Sequence, residues 1–380
     1  MLSKYEIHKI NILNKIYEKE ELSRMDLHEL LDLRFATITK IVKELVKEGI
    51  IEESGKKRKK KKGRPHSLLK IIPDCRFFIG CELNPENVIG VILNFKGKLI
   101  KKDKIEICNT DKKEDILKKI EKLLKNIIEK SEIEKNKIYG IGFVDPGIID
   151  VENGISIFSS ILPQWKNVET IKYIEEKFNI KTFIIGSSQA KVLSEKFFGE
   201  GKESKNFIFV EFGDGIGCGI MSEGKILHGT GGVAGEFGHI KIKGIEEICN
   251  CGKKGCLEAV ASIPSIEKKV EIMTGKKLKI KDIVDEYKKD NHEIKKILDN
   301  VLDIFSISIS NLINILNPEI VILDKNFLLF EKFLDGFIGK IKNNMVYDYP
   351  LKFKLSNFDE DIGAIGGACL SISKFLGLDI

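Results

Sequence analysis

Cys249, Cys251 and Cys256 fall within eight residues, and His239 lies ten residues before the first of them. Three thiolates and one imidazole are a complete donor set for tetrahedral Zn²⁺. The chain begins MLSKYEIHKINILNKIYEKEE, with apolar and charged residues alternating and no apolar signal-peptide core. The expected compartment is therefore the cytoplasm, where clustered cysteines read as metal ligands and not as disulfides. Four protein ligands leave no open position for water, so the expected zinc is structural, not catalytic. Free thiols in a glycine-rich loop are the alternative, and they leave the ligand count unexplained. Cys75, Cys81, Cys108, Cys218 and Cys369 sit singly in apolar or strand contexts and read as small core residues.

Two glycine-rich stretches flank this set. Gly213-Asp214-Gly215-Ile216-Gly217-Cys218-Gly219 follows a strand pattern, and Gly229–Gly238 carries Glu236. Alternate glycines let a chain approach a ligand closely or form an anion nest. They also serve tight hairpins, and Asp214 would repel a phosphate.

A second kind of chemistry sits at the other end. The net charge is +6, yet residues 1–70 hold 18 Lys and Arg against 11 Asp and Glu. The excess of positive charge is therefore confined to that end, which points to a polyanion partner for it alone. Lys56 to Lys62, with Arg58 among them, are seven consecutive cations, followed by Gly63-Arg64-Pro65. Such a run cannot enter a core. It can contact only phosphates, giving affinity without sequence information. Arg64, between Gly and Pro, is placed to extend along a narrow A·T-rich minor groove.

The elements that must position these groups follow from periodicity. Residues 5–18 place Ile7, Ile10, Leu13 and Tyr17 at helical spacing. Arg24–Leu31 fits a short helix capped by Ser23, with Leu27, Leu30 and Leu31 inward. A turn at 32–34 leads to a third helix, Ala36–Lys47, with Ile38, Ile41, Val42, Leu45 and Val46 inward. Strands at 49–53 and 67–72 bracket the basic run, the pattern of a wing. This predicts a helix-turn-helix with its third helix in the major groove of double-stranded operator DNA. Base contacts then fall to Arg34, Thr37, Thr39, Lys40 and Lys43. Phe35 is expected to pack on the second helix.

From residue 76 strands and helices alternate, an α/β layout. A β-meander opens each half, at 76–107 and again at 207–228, which predicts two lobes with a cleft between them. Helices are expected at 114–130, 168–178, 189–199, 263–274, 280–288, 292–317, 327–343 and 363–375. With 42% hydrophobic and 32% charged residues the chain is not disordered. No apolar run of about 18 residues suggests a membrane span.

At 235–239 (Gly-Glu-Phe-Gly-His) and 249–258 (Cys-Asn-Cys-Gly-Lys-Lys-Gly-Cys-Leu-Glu) the sequence resembles the zinc signature of the ROK family of repressors and sugar kinases. Pro146-Gly147, Leu162–Trp165, Asn317-Pro318-Glu319 and Gly363–Gly367 fall where that family has its other landmarks. The resemblance, closest to the repressor branch, spans nearly the whole chain. It implies an α/β fold in which a winged helix-turn-helix precedes a two-lobed, actin-like, hexokinase-type (ribonuclease H-like) domain. The expected boundaries are 1–72 for the DNA-binding unit, 73–185 with 363–380 for the first lobe, and 186–362 for the second lobe with the zinc site. Homodimers or homotetramers are implied.

Against the kinases of that family the chain departs at four places. Glu82–Glu86 replaces the first phosphate loop, with Glu86 for a threonine. Asp214 replaces the threonine of the second loop. Leu323-Asp324-Lys325-Asn326 replaces a glycine turn near the adenosine. Gly186-Ser187 replaces the Asn-Asp pair, and a serine hydroxyl is no general base near pH 7. The sugar contacts implied by the resemblance map onto Glu236, His239 and Glu258, with Ser187, Ser188 or Gln189 as substitutes for the lost pair. The reading is a DNA-binding transcriptional regulator, a repressor of carbohydrate metabolism, xylose included, with a non-catalytic sensor domain answering to a mono- or disaccharide. A sugar kinase of the glucokinase or N-acetylhexosamine kinase type with a DNA-binding arm is the second reading. A regulator answering to a protein or phosphorylated metabolite is the third.

Overall fold

The computed structural model describes residues 3–57, 66–108 and 110–380. Its first elements are α1 (Lys4–Lys19), β1 (Leu22–Ser23), α2 (Arg24–Leu31), α3 (Phe35–Lys47), β2 (Ile51–Lys57) and β3 (His66–Ile71). Ser23 caps α2 as its sequence predicts. Its hydroxyl accepts the Asp26 N–H at 3.2 Å, and the Asp26 carboxylate accepts the Ser23 N–H at 2.9 Å. This reciprocal box satisfies two donors that the helix start leaves open. Asp32 ends α2 in the left-handed conformation, φ 50°, which its short polar side chain tolerates. β2 and β3 pair antiparallel with Ile51 opposite Ile71, and β1 joins β3. The unit is a winged helix-turn-helix. The basic loop expected between its strands, with Arg58 and Arg64, lies outside the described residues.

The α1 stripe differs from the expected one. Ile12, Leu13 and Ile16 are buried and Ile7 is exposed, because α1 carries two apolar faces. One meets α2 and α3. The other carries Tyr17, whose ring lies 5.1 Å from Phe95 and 6.3 Å from Phe197 of the following domain. Leu30 and Val46 are also exposed, each at a helix end beyond the unit's core, and Phe35 is 48% exposed. Phe35 meets α2 only edge-on, through His28 at 6.5 Å.

The first lobe then runs β4 (Phe77–Leu83), β5 (Asn87–Asn94), β6 (Leu99–Glu106), α4 (Lys113–Glu129), β7 (Ile138–Asp145), β8 (Ile148–Asp150), β9 (Ile155–Phe158), β10 (Lys166–Val168), α5 (Thr170–Phe178) and β11 (Thr182–Gly186), with five of these strands in its main sheet. The order is β11-β7-β4-β5-β6, and β8–β10 form a separate small sheet. The central β4 is buried along its whole length. The edge strand β6 (LIKKDKIE) is half-exposed and lysine-rich, which blunts edge-to-edge pairing. α6 (Ser187–Phe198) leads to the second lobe: β12 (Phe207–Phe212), β13 (Ile216–Ser222), β14 (Lys225–Ile226), α7 (Glu258–Ala261), α8 (Ile263–Thr274), α9 (Ile280–Lys288), α10 (His292–Leu316), β15 (Ile320–Leu323), α11 (Leu334–Asn343) and β16 (Lys352–Leu355), after which α12 (Ile362–Phe375) returns to the first sheet.

The second sheet runs β14-β13-β12-β15-β16. In both sheets a three-stranded antiparallel meander continues into two parallel strands. The repeated meander is readable from sequence. The parallel additions β15 and β16 are not, because each is only four residues long. The helix expected over 327–343 breaks at Phe330 (φ −104°, ψ 18°), where Phe327 and Phe330 both turn in to Phe212, at 5.4 and 5.7 Å. Of the single cysteines, Cys108 is exposed while Cys75, Cys81, Cys218 and Cys369 are buried. Cys108 is therefore no core residue; it lies past the end of β6. α12 lies directly on β4, β7 and α6. A Cβ on Gly142 would stand 1.8 Å from the Gly367 carbonyl oxygen, so that close backbone approach requires glycine.

Candidate functional site

The metal-ligating set comes together. The donor atoms of His239, Cys249, Cys251 and Cys256 lie within 4.8 Å of one another. Cys251 and Cys256 Sγ are 3.7 Å apart, and Cys249 Sγ is 3.7 Å from His239 Nδ1. A tetrahedron with Zn–S bonds of about 2.3 Å has edges of roughly 3.8 Å, so the spacing and the donor types fit a zinc ion. The backbone shapes the set before any metal enters. The Cys249 N–H donates to the Lys253 carbonyl at 2.9 Å, and the Gly252 N–H, at φ +81°, to the Cys249 carbonyl at 2.8 Å. Lys241 adds a cation that sequence reasoning missed, its Nζ 3.1 Å from Cys256 Sγ. Burial pushes the Cys249 thiol up, which a bound cation would reverse.

His239, Lys241, Cys251 and Cys256 also border a cleft of about 880 Å³ between the lobes. His239 Nε2 faces the cleft, 3.6 Å from Glu236 Oε2. Gly235 makes that approach feasible: its φ is +91°, and a Cβ there would stand 2.0 Å from the Cys218 carbonyl oxygen. Glu258 is buried. Its Oε2 accepts the Ile216 N–H at 3.2 Å, and its Oε1 lies 3.4 Å from Cys249 Sγ. Glu236, His239 and Glu258 therefore share one wall of the cleft, beside Cys251 and Cys256. Ser187, the first residue of α6, lines the same cleft. Ser188 and Gln189 line it too; Ser188 also donates to Glu211 at 3.3 Å, and Gln189 is engaged by His228 at 3.2 Å.

Glu86 and Asp214 face each other from opposite lobes at the cleft mouth. Partial burial, and then Glu86, raise the Asp214 carboxyl above its ordinary range. On the first lobe the buried Asp145 orders the loop at Pro146, accepting the Gly147 N–H at 2.9 Å and the Trp165 indole N–H at 2.8 Å. Sequence reasoning also missed Lys191. It lies on the cleft floor, ion-paired with Glu211. Helical periodicity could not single it out, since α6 is buried on all faces from Gln189 to Glu195.

The DNA-facing candidates lie far along the chain from this cleft. Arg34, at the N-cap of α3, and Lys40 and Lys43 on it are exposed, while Thr37 and Thr39 are half-buried. Lys40 Nζ rests 4.8 Å from the Tyr5 ring centroid. Among the described residues Arg34, Lys40 and Lys43 enter no ion pair, whereas Lys9, Lys15, Arg24 and Lys70 pair with Glu48, Glu18, Glu53 and Glu21.

The family model described as "ROK family" matches residues 79–374. The chain belongs to the ROK family. A protein named Xylose repressor from Caldicellulosiruptor bescii is 30% identical over 98% of this chain and 96% of its own length. A relative named Glucokinase from Thermotoga maritima is also 30% identical, over 77% of this chain and 96% of its own. A solved ROK family transcriptional regulator, described as a homolog of the E. coli MLC protein, superposes with a TM-score of 0.83 at 24% identity, covering 98% of both chains. The ROK match begins at residue 79, after the winged helix. No helix among the described residues is long and apolar enough to cross a membrane.

Proposed function

We propose that this ROK protein is a sugar-responsive, DNA-binding repressor of carbohydrate-utilisation genes, with its two-lobed domain as sensor and dimeriser. One observation carries the reading. The recognition helix α3 presents Arg34, Lys40 and Lys43 to solvent without a carboxylate partner among the described residues, although four other cations of the unit are paired. A phosphate backbone supplies the missing counter-charge. The first turn of α3 holds no acidic residue and no side-chain cap, so among the described residues the N–H groups of Phe35 and Ala36 have no partner and are open to an anion, while Thr37 N–H bonds the Arg34 carbonyl. Arg34, Thr37, Thr39, Lys40 and Lys43 then serve base readout in the groove those phosphates line, Arg58 serves phosphates and Arg64 the minor groove. The full-length similarity to a protein named Xylose repressor supports this assignment and makes xylose the first effector to try.

In the sensor, His239, Cys249, Cys251 and Cys256 hold a structural zinc. Four protein donors close its coordination, so the ion supplies rigidity and no reactive water. His239 passes that rigidity to the sugar wall through its second nitrogen. Glu236, His239 and Glu258 accept hydroxyl donors of a neutral sugar, a task suited to carboxylates.

Phosphoryl transfer is not part of the reading. Ser187 stands where a base is needed, and Glu86 and Asp214 place negative charge where phosphates would enter. Purified full-length protein with ATP and a panel of hexoses, pentoses and N-acetylhexosamines is expected to give no sugar phosphate above the no-enzyme rate. Turnover of any of them would promote the kinase reading.

A further inference from the structure

Lys191 sits on the cleft floor and takes no part in the sugar wall. It is 8% exposed, and its ammonium is ion-paired with Glu211 on β12. Two further carboxylates line the same cleft and act on it electrostatically, Glu82 from β4 of the first lobe and Asp324, just past β15, in the second. Glu82 is 1% exposed. Its Oε2 accepts the Ala364 N–H of α12 at 3.2 Å, and a Cβ on Gly363 would stand 2.0 Å from its Oε1. The fold therefore makes room for Glu82 close to a helix start, where a carboxylate is favoured. Ser188 and Asn84 complete the polar surroundings, on Glu211 and Glu82 respectively.

Three carboxylates lining one poorly solvated part of the cleft need a cation. We propose that the Lys191 ammonium is the resident cation of this floor, a specificity-determining residue that ties the two lobes together and keeps divalent metal out of the cleft. Ligand binding at the His239 end is then independent of hard divalent cations. The titration of the neighbours agrees with this. Burial raises Glu82 to about 7, with Glu211 adding to the rise and Lys191 opposing it. Burial raises Asp324 to about 6, again opposed by Lys191. Burial alone would depress the Lys191 amine, but Glu211, Glu82 and Asp324 hold it above its ordinary range.

Removing the ammonium should release these carboxyls upward. An acid whose pKa is raised by folding binds more protons when folded, so its destabilising effect is full at high pH and fades as pH falls through the raised value. This role of Lys191 goes beyond the repressor reading and does not depend on it, since the test involves neither DNA nor sugar. The melting temperature of the full chain is measured at pH 8 and pH 5.5, with and without Mg²⁺, a hard cation that prefers oxygen donors to the thiolate set.

Lys191→Met is expected to lower Tm by about 10 °C at pH 8 and by less than half of that at pH 5.5. Lys191→Ala, with space for an ion, is expected to regain several degrees in millimolar Mg²⁺ at pH 8, while wild type gains nothing. If the single variants fail to fold, the double variant Lys191→Met with Glu211→Gln removes both charges together and is expected to fold and melt closer to wild type. A wild-type response to Mg²⁺ equal to that of Lys191→Ala would overturn the proposal. So would a Lys191→Met protein as stable as wild type at pH 8, or a double variant that also fails to fold.

Discussion

Cys256→Ser is expected to strip the protein of its metal and of its sugar response together. Cys256 is fully buried, and its sulfur is touched by both Cys251 and Lys241. Serine is a poor zinc ligand, and three donors do not close a structural site. Metal analysis should find about one zinc per wild-type chain and a small fraction of that in the variant. Structural zinc sites can contribute on the order of 10 kcal/mol to folding where metal and fold are coupled. Here the loop also has backbone bonds of its own, so the expected drop is smaller, about 10 °C in Tm. The sugar wall should fail with it, because Glu258 and His239 both lean on Cys249. Wild-type protein that is metal-free as purified, yet as stable as zinc-loaded protein, would remove the zinc assignment.

An effect of comparable weight is expected on α3. Reversing two charges, Lys40→Glu with Lys43→Glu, should weaken operator binding by more than about 100-fold near physiological salt. Each phosphate that is no longer neutralised should also flatten the log–log salt dependence by about 0.9. Both side chains are exposed, so Tm should move by no more than a degree or two, the small change expected of surface substitutions. Lys40 gives up its approach to the Tyr5 ring. A double variant that binds DNA as wild type does, with an unchanged salt slope, would place the DNA-binding surface elsewhere.

Both expectations rest on features that local sequence rules expose well. Ser23 and Asp26 announce a helix start, and the thiols announce their own proximity because only six residues separate the first from the last. The sensor cleft is legible only in part. Glu236 and His239 are three residues apart, so their shared wall is local, but Lys191 and its carboxylates come from positions 82, 191, 211 and 324. Only the packing of two sheets around α6 and α12 assembles them. The same limit explains α1. A helix with one apolar face shows a single stripe, whereas α1 also packs Tyr17 against Phe95 of a neighbouring domain, which blurs the period. β15 and β16 escape notice because four-residue parallel strands take their identity from their neighbours in the sheet. The wing assigned to Arg58 and Arg64 stays a proposal from sequence, since its tip lies outside the described residues.

The repressor reading requires operator binding and sugar binding to be coupled in one chain. Fluorescence anisotropy of the full-length protein on the DNA upstream of its own gene and neighbouring sugar genes, at fixed salt, probes that coupling when titrated with xylose, glucose and other neutral mono- and disaccharides. Binding to one such segment is expected to be at least about 10³-fold tighter than to random DNA, and one sugar is expected to weaken it tenfold or more. Equal affinity for every DNA, or an operator complex indifferent to every sugar in the panel, would refute the coupling.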